Sequence, residues 1–196
     1  MRKLEIIYRE ILDSVLENNQ LEFTQLALAK KLSFSLSTIN HAVKPLAEIG
    51  AIEIRQRSLR VIDTKKFIYY WATVRKFQKD IIYSTRVEKS VQELEKITSN
   101  SVIFTAFTAY LKKFKEVPAD YSEIYFYAVK DDLEEVKKRF PERKGPPNIF
   151  VLSTDEQLIK EKRKLVSNSQ LFVDLWNIKQ WYAHEFLKKL EERLFK

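Results

Sequence analysis

The side chains best suited to bind a ligand are eight polar or basic residues between positions 37 and 60. Five of them share one segment and three arginines follow: Ser37, Thr38, Asn40, His41 and Lys44, then Arg55, Arg57 and Arg60. Arginine and lysine neutralise phosphates, whereas serine, asparagine and histidine reach the edges of bases. Because both kinds of side chain converge on one short module, the sequence favours double-stranded DNA as the ligand.

A helix has to present the first five of these residues, and the neighbouring apolar residues predict one. Ile39, Val43 and Leu46 follow the i, i+4, i+7 spacing of a helix. Ser35 is a suitable N-cap for it. With about 100° of rotation per residue, the polar side chains project from the side opposite this stripe. Pro45 removes one helical hydrogen bond, so we expect a kink just after the residues that would read bases.

The surrounding segments predict one module over residues 1–62. An apolar stripe near the N-terminus predicts a first helix, and a second helix begins after Thr24, a suitable N-cap. Gly50 stops the third helix, since a residue just past a helix end is often left-handed and glycine adopts that conformation without strain. Residues 51–54 and 59–62 predict the two strands of a hairpin, with arginines at or beside its tip.

This order of three helices, a glycine and a hairpin resembles the winged helix-turn-helix of bacterial and archaeal transcription regulators. The residues that carry the resemblance are Leu28, Ala29, Leu32, Ser35, Ser37, Thr38, Ile39, Val43, Leu46, Ile49 and Gly50. The resemblance implies a prokaryotic, sequence-specific transcription regulator, acting as a repressor, whose third helix reads bases while the hairpin holds the DNA backbone. Winged helices also serve as protein-interaction modules that never read DNA, and the sequence leaves that alternative open.

Residues 63–83 predict a linker helix between this module and the rest of the chain. Asp63 is a suitable N-cap, and apolar residues recur at helical spacing from there. The segment holds more aromatic residues than one face of a small domain readily covers: Tyr69, Tyr70, Trp71 and Phe77. We therefore expect a homodimer that uses this helix as its contact surface.

Residues 84–196 alternate helical and strand-like patterns, with residues 102–114 among the helical ones, which predicts a C-terminal α/β domain and a mixed α+β or α/β fold for the chain. Four stretches, "VIFTAFTAYL", "SEIYFYAV", "NIFVL" and "VSNSQLFVDLW", resemble the C-terminal domain of regulators related to abortive-infection (type IV) antitoxins. Their match is mostly apolar, apart from Gln170, Asp174 and Trp176. The resemblance implies a fold similar to a minimal nucleotidyltransferase without catalysis, and a cognate toxin as partner. Residues 105–109 depart from it, because relatives often carry glycine there.

The sequence contains few residues in the patterns that catalysis requires. We therefore expect no enzymatic activity, no cofactor and no metal site. A nucleotidyltransferase needs a Gly-Ser turn and paired aspartates for Mg²⁺, and neither motif occurs. His41 and His184, the two histidines, fall in separate predicted domains. The remaining enzymatic alternative is a metal-dependent nuclease, whose motif is loosely imitated by Asp120, Glu135 and Lys137. For Asp174, inside an apolar helix, pairing with a nearby lysine or arginine is the favoured interpretation.

Composition narrows the class of protein further. The chain of 196 residues has a formal net charge of +8, which favours a polyanionic partner. It contains no cysteine, which excludes disulfides and cysteine zinc sites and is typical of a reducing compartment. No apolar run approaches the roughly 18 residues that a membrane span needs. We therefore expect a cytoplasmic protein with no membrane partner.

Overall fold

The computed structural model describes residues 1–56, 58–98 and 102–195. The chain divides into two compact units, Met1–Arg75 with Phe195, and Lys76–Leu194. Within the described ranges there are eleven α-helices and two small sheets, so the mixed α+β class expected from the sequence is confirmed. None of the helices in these ranges is long and apolar enough to cross a lipid bilayer.

The first unit begins with helices and contains one small sheet. Its elements are α1 (Lys3–Asn18), β1 (Glu22–Phe23), α2 (Gln25–Leu32), α3 (Leu36–Glu48), β2 (Ile52–Ile54), β3 (Leu59–Val61) and α4 (Thr64–Val74). The strands lie in the order β1-β3-β2 and all pairs are antiparallel. β2 and β3 form the hairpin expected from the sequence, and β1 adds a third strand that was not expected.

The ends of these helices follow from local chemistry. Thr24, Ser35 and Asp63 each accept a hydrogen bond from a backbone N–H in the first turn of the helix that follows, which confirms all three predicted N-caps. Gly50 has a φ of 69° just beyond α3, the left-handed conformation for which glycine is suited. α3 remains helical through Pro45, although this residue lacks the N–H that would bond to the carbonyl of His41.

The segment expected to form one linker helix contains three elements instead. α4 ends at Val74, and Arg75 takes an extended conformation with φ −60° and ψ 130°. A short helix, α5 (Phe77–Asp80), and a strand, β4 (Ile81–Thr85), follow in the second unit. At this break the buried Arg75 guanidinium lies 2.7 Å from the buried carboxylate of Glu5.

The aromatic residues of this segment are used inside the chain. Trp71 is fully buried in the first unit and Phe77 is buried in the second, while Tyr69 and Tyr70 are half-buried. Trp71 and Phe77 are thus covered within the chain, and of the four aromatic residues only Tyr69 and Tyr70 are left to contribute to the predicted dimer contact.

The second unit is built on a four-stranded sheet. Its elements after α5 and β4 are α6 (Val91–Ile97), β5 (Ile103–Thr105), α7 (Ala106–Phe114), β6 (Ile124–Ala128), a 3-10 turn (Lys130–Asp132), α8 (Leu133–Arg139), β7 (Ile149–Ser153), α9 (Glu156–Lys160), α10 (Asn168–Trp176) and α11 (Ala183–Leu194). The strand order is β4-β7-β6-β5, with β6 and β7 parallel and the outer pairs antiparallel. Aromatic rings of Phe107, Tyr110 and Phe186 pack together between α7 and α11.

Candidate nucleic-acid interface

The outer face of α3 presents the polar residues that the sequence singled out. Ser37, Asn40, His41 and Lys44 are exposed, at the helical spacing that places them on one side. Thr38 is half-buried, and its hydroxyl lies 2.8 Å from the Ser35 hydroxyl at the N-cap. Four of the five predicted residues are therefore exposed on one side of α3. The fifth, Thr38, contacts the N-cap at the start of the helix.

The inner face of α3 fixes the direction of this outer face. Its apolar residues are buried against the rest of the first unit: Ile39, Ala42, Val43 and Leu46. The Tyr8 hydroxyl on α1 donates a hydrogen bond of 2.8 Å to the carbonyl oxygen of Ala42. Burial raises the pKa of Tyr8 above its usual value, so the hydroxyl stays a neutral donor at physiological pH. Helix α3 is thus held as a rigid platform.

A groove of about 370 Å³ separates the first turns of α3 from the N-terminus of α1. Its walls are Arg2, Lys3, Leu4, Ser37, Thr38, His41 and Ala42. The two basic residues on the α1 side face the same groove as the predicted base-reading residues. A ligand that entered this groove would meet hydroxyl and imidazole groups on one wall and positive charge on the other.

The two basic residues in this groove have different surroundings. Arg2 is engaged within the chain, since it donates to the carboxylate of Glu5 and to the carbonyl oxygen of Val74. Lys3 is exposed, and its ammonium lies 5.5 Å from the centre of the Phe34 ring. Lys3 was not among the candidate residues that the sequence singled out. The signal was present, because two basic residues precede the first apolar stripe, but nothing local connects them to α3.

The hairpin arginines lie among carboxylates. Arg55 contacts Glu53 at 2.8 Å and Glu22 at 3.3 Å, and the hydrogen bond to Glu53 raises the pKa of its guanidinium. Arg60 is exposed on β3, where Glu22 and Glu53 are its direct neighbours on the two flanking strands. Arg57, the third predicted arginine, lies outside the described residues. Glu22 of β1 and Glu53 of β2 therefore offset the charges of Arg55 and Arg60, in contrast to the groove at α1 and α3.

In the second unit, Asp174 is the centre of a buried polar cluster. Its carboxylate accepts hydrogen bonds from the Thr105 hydroxyl at 2.7 Å, the Tyr127 hydroxyl at 2.8 Å and the Gln170 amide at 2.8 Å. These three donors are neutral groups. The cluster joins β5, β6 and α10, which makes it a structural centre of this unit.

The backbone beside this cluster is unusual. Ala106, the residue between β5 and the body of α7, is buried and has a φ of 51°. This left-handed conformation is one that glycine adopts at little cost and that alanine adopts rarely. Ala106 lies within residues 105–109, where members of the family that this chain resembles often carry glycine.

The three residues of the nuclease alternative, Asp120, Glu135 and Lys137, do not form a cluster that could bind a metal ion. Glu135 pairs with Arg139 at 2.9 Å and Lys137 pairs with Glu134 at 2.9 Å, both on the exposed surface of α8. Asp120 is exposed in the loop before β6. Within the described ranges, no three acidic or histidine side chains are grouped in a way that could hold a metal ion.

Comparisons with protein-family models, with curated proteins and with solved structures find no match for this chain.

Proposed function

We propose that the first unit is a winged helix-turn-helix that binds double-stranded DNA, and that the chain is a sequence-specific transcription repressor. The observation that carries this proposal is the exposed face of α3, where Ser37, Asn40, His41 and Lys44 project together from a helix whose other side is buried. A helix of this width fits the major groove, and these side chains supply donors and acceptors for base edges.

The groove beside α3 supports the same ligand. Lys3 places a positive charge at the N-terminus of α1, on the wall opposite Ser37 and His41. A phosphate flanking the bases read by α3 would meet this ammonium, and phosphate contacts fix the register of a protein on DNA. In this proposal Lys3 takes over part of the phosphate binding that the sequence assigned to the hairpin arginines.

For the second unit, the proposal is a non-catalytic domain similar to a minimal nucleotidyltransferase, as in antitoxins that bind a cognate toxin. The left-handed Ala106 after β5 supports it, because the turn has the backbone conformation of a glycine although its residue is alanine. The backbone of this turn has the conformation that the resemblance predicts. The turn lacks the Gly-Ser sequence that a nucleotidyltransferase needs to bind a triphosphate.

The test is a titration of the intact protein against a duplex selected from a genomic library and against a scrambled duplex, at several salt concentrations. Asn40→Ala and His41→Ala are expected to cost roughly 1 to 3 kcal/mol on the selected duplex and little on the scrambled one, because base contacts are lost. Lys3→Ala is expected to weaken binding to both duplexes and to flatten the salt dependence by about one unit.

Lys189→Ala is the matched control, since it removes an exposed lysine from α11 in the second unit. It is expected to leave both affinity and salt dependence unchanged. If the intact protein shows no salt-dependent affinity for any duplex in the library, the proposal is wrong.

One observation favours a second candidate function, a protein-interaction module. The carboxylates of Glu22 and Glu53 compensate Arg55 and lie beside Arg60, so the described part of the hairpin offers little net attraction to phosphate. Under this alternative, substitutions on α3 would leave DNA affinity unaltered at every salt concentration.

A further inference from the structure

The first unit contains a cavity of about 350 Å³ that shares no lining residue with the groove beside α3. Its walls come mainly from α1, β1 and α2. Pockets for small organic ligands commonly have volumes of about 300 to 1,000 Å³, with an apolar lining and a few polar groups. The residues that decide what this cavity could bind are Glu10, Glu22, Phe23, Ala27, Leu28 and Lys31.

One part of the cavity wall is apolar. Phe23 on β1 and Leu28 on α2 line it, although the rest of the unit buries both side chains almost completely. Ala27, the residue before Leu28, contributes only a methyl group to the wall. A ligand with an aromatic ring or a short hydrocarbon body would remove apolar surface from water here, which is favourable.

The polar group best placed to bind a ligand is the carboxylate of Glu10 on α1. Its side chain is only 16% exposed and lines the cavity. The Ser14 hydroxyl, at 3.3 Å, and the Lys31 ammonium both donate to its Oε1 atom. The Oε2 atom accepts no hydrogen bond from the described part of the chain. A ligand that donates to Oε2 would therefore bind Glu10 without displacing Lys31.

The charges around the cavity favour a cationic ligand. Its described lining includes two carboxylates, Glu10 and Glu22, and one ammonium group, that of Lys31. The Lys31 side chain is 63% exposed and already paired with Glu10. Glu22 contacts Arg55 at 3.3 Å, but both side chains are exposed, so water screens this pair. An anionic ligand would meet two like charges, whereas an ammonium group would form a charge-assisted hydrogen bond.

The start of α2 does not reverse this preference. A helix N-terminus attracts anions through its free N–H groups. Two of the N–H groups that line the cavity are already engaged, because Ala27 donates to the Thr24 hydroxyl at 3.1 Å and Leu28 donates to the Thr24 carbonyl oxygen at 3.1 Å. These donors are not available to a ligand carboxylate.

We propose that this cavity binds a small primary amine with an aromatic body. The ammonium group donates to Glu10, and the ring packs against Phe23 and Leu28. This site is separate from the proposed function, since no residue that lines the cavity is among the proposed DNA contacts. Amine binding can therefore be tested whether or not the chain binds DNA.

The experiment is calorimetric titration of the full chain with 2-phenylethylamine and with two probes of similar shape, neutral 2-phenylethanol and anionic 3-phenylpropionate. The amine is expected to bind with a dissociation constant of about 1 mM or below, at least about tenfold tighter than either analogue. The comparison isolates the charge, because all three probes carry the same ring.

Three variants test the named contacts. Glu10→Gln keeps the size of the side chain and removes its charge, so it should weaken amine binding about tenfold and alter binding of the alcohol less than about twofold. Lys31→Gln removes the competing cation and should tighten amine binding about threefold or more. Ala27→Leu fills the cavity from an exposed helical position with a good helix former, and it should abolish binding of all three probes.

Glu17→Gln is the matched control, because it removes an exposed carboxylate from the same helix, α1, outside the cavity, and should leave amine binding unaltered. Circular dichroism checks that each variant is folded. Three results would each overturn the inference: no amine binding up to about 10 mM, an alcohol or carboxylate probe that binds as tightly as the amine, or an Ala27→Leu variant that retains wild-type affinity.

Discussion

Asp174 shows at the scale of one residue how hydrogen-bond donors accommodate a buried carboxylate. It is fully buried, and hydroxyl and amide donors from Thr105, Tyr127 and Gln170 bind its two oxygens. Donors of this kind replace the water that an ionised acid loses on burial. The same carboxylate thereby ties two strands to α10, and removing its acceptor capacity should be felt across the second unit.

Replacing Asp174 with asparagine keeps the shape of the side chain but turns one oxygen into a donor. The NH₂ group then faces at least one donor that the carboxylate accepted, so we expect a loss of about 1 to 3 kcal/mol in the free energy of unfolding. Urea unfolding followed by circular dichroism measures it. Asp120→Asn, at an exposed site, is the control and should change the free energy by less than about 0.5 kcal/mol. Equal effects of the two substitutions would contradict the structural role of Asp174.

Ion pairing in the hairpin decides which residues are suited to hold phosphate. Arg55 lies 2.8 Å from Glu53, so binding a phosphate with this guanidinium would require exchanging one anion for another. The Lys3 ammonium lies 5.5 Å from the centre of the Phe34 ring, an aromatic neighbour that a phosphate would not have to replace. For this reason the proposal places a phosphate contact at Lys3, at the start of α1, and relies less on the hairpin.

At the scale of elements, α3 offers a way to separate folding from recognition. The Ser35 hydroxyl caps the helix by accepting from the Thr38 N–H at 3.1 Å, while Ser37 is exposed two residues later. Ser35→Ala is expected to cost about 1 kcal/mol of stability because the first turn loses its cap. Ser37→Ala is expected to leave stability within about 0.5 kcal/mol and to weaken binding to the selected duplex.

Thermal unfolding and the duplex titration measured on both serine variants provide the comparison. The assignment of the two serines fails if Ser37→Ala destabilises the fold as much as Ser35→Ala does.

The sequence predicted those elements whose stabilising contacts are local. Amphipathic spacing and N-caps identified α2 and α3, and Gly50 marked the end of α3. The predicted helix over residues 63–83 was wrong because apolar spacing continues past Val74, whereas the chain leaves the helix at Arg75 and residues 81–85 pair with β7. That partner strand lies far along the chain, so the segment itself gives no signal of the pairing.

Short strands were missed for a related reason. β5 is three residues long, all buried, and runs directly into α7, so its apolar residues have no alternation that would distinguish strand from helix. β4 was assigned to the preceding helix because Ile81 and Ile82 fit its apolar stripe. In both cases the pairing partner, β6 or β7, decides the conformation, and it lies far along the chain.

The candidate site also has one part that the sequence predicted and one part that it did not. The exposed face of α3 was predicted because one helix carries all of its residues at regular spacing. The approach of Lys3 to that face, and of Glu22 to Arg55, depends on how α1 and β1 pack, and residues this far apart in sequence give no local signal.

At the scale of the whole molecule, the two units differ in the features that they contain. The proposed DNA contacts all belong to the first unit, and the buried polar cluster of Asp174 belongs to the second. Each unit has buried aromatic residues of its own, such as Trp71 in the first and Phe107 in the second. The boundary after Arg75 therefore separates two cores, and it lies 13 residues beyond the end of the module expected from the sequence, residue 62.

This boundary predicts which N-terminal fragment folds. Residues 1–75 include α4, whose Phe67, Ile68 and Trp71 are completely buried in the first unit. Residues 1–62 lack all three, and each such side chain contributes about 1.5 to 3 kcal/mol on burial. Their combined loss, about 6 kcal/mol, is comparable to the whole stability of a small domain. We expect the longer fragment to fold and the shorter one to be largely unfolded.

Circular dichroism and dispersion of amide signals in NMR spectra distinguish the two fragments. The longer fragment should melt cooperatively and retain the salt-dependent affinity of the full chain for DNA, because α3 and Lys3 keep their packing partners. A variant of the longer fragment, Trp71→Ala, is the matched test of the cause: it removes one buried ring while leaving the length unchanged, and should lose about 3 to 5 kcal/mol. If residues 1–62 fold as cooperatively as residues 1–75, α4 is dispensable and the first unit ends where the sequence alone placed its boundary.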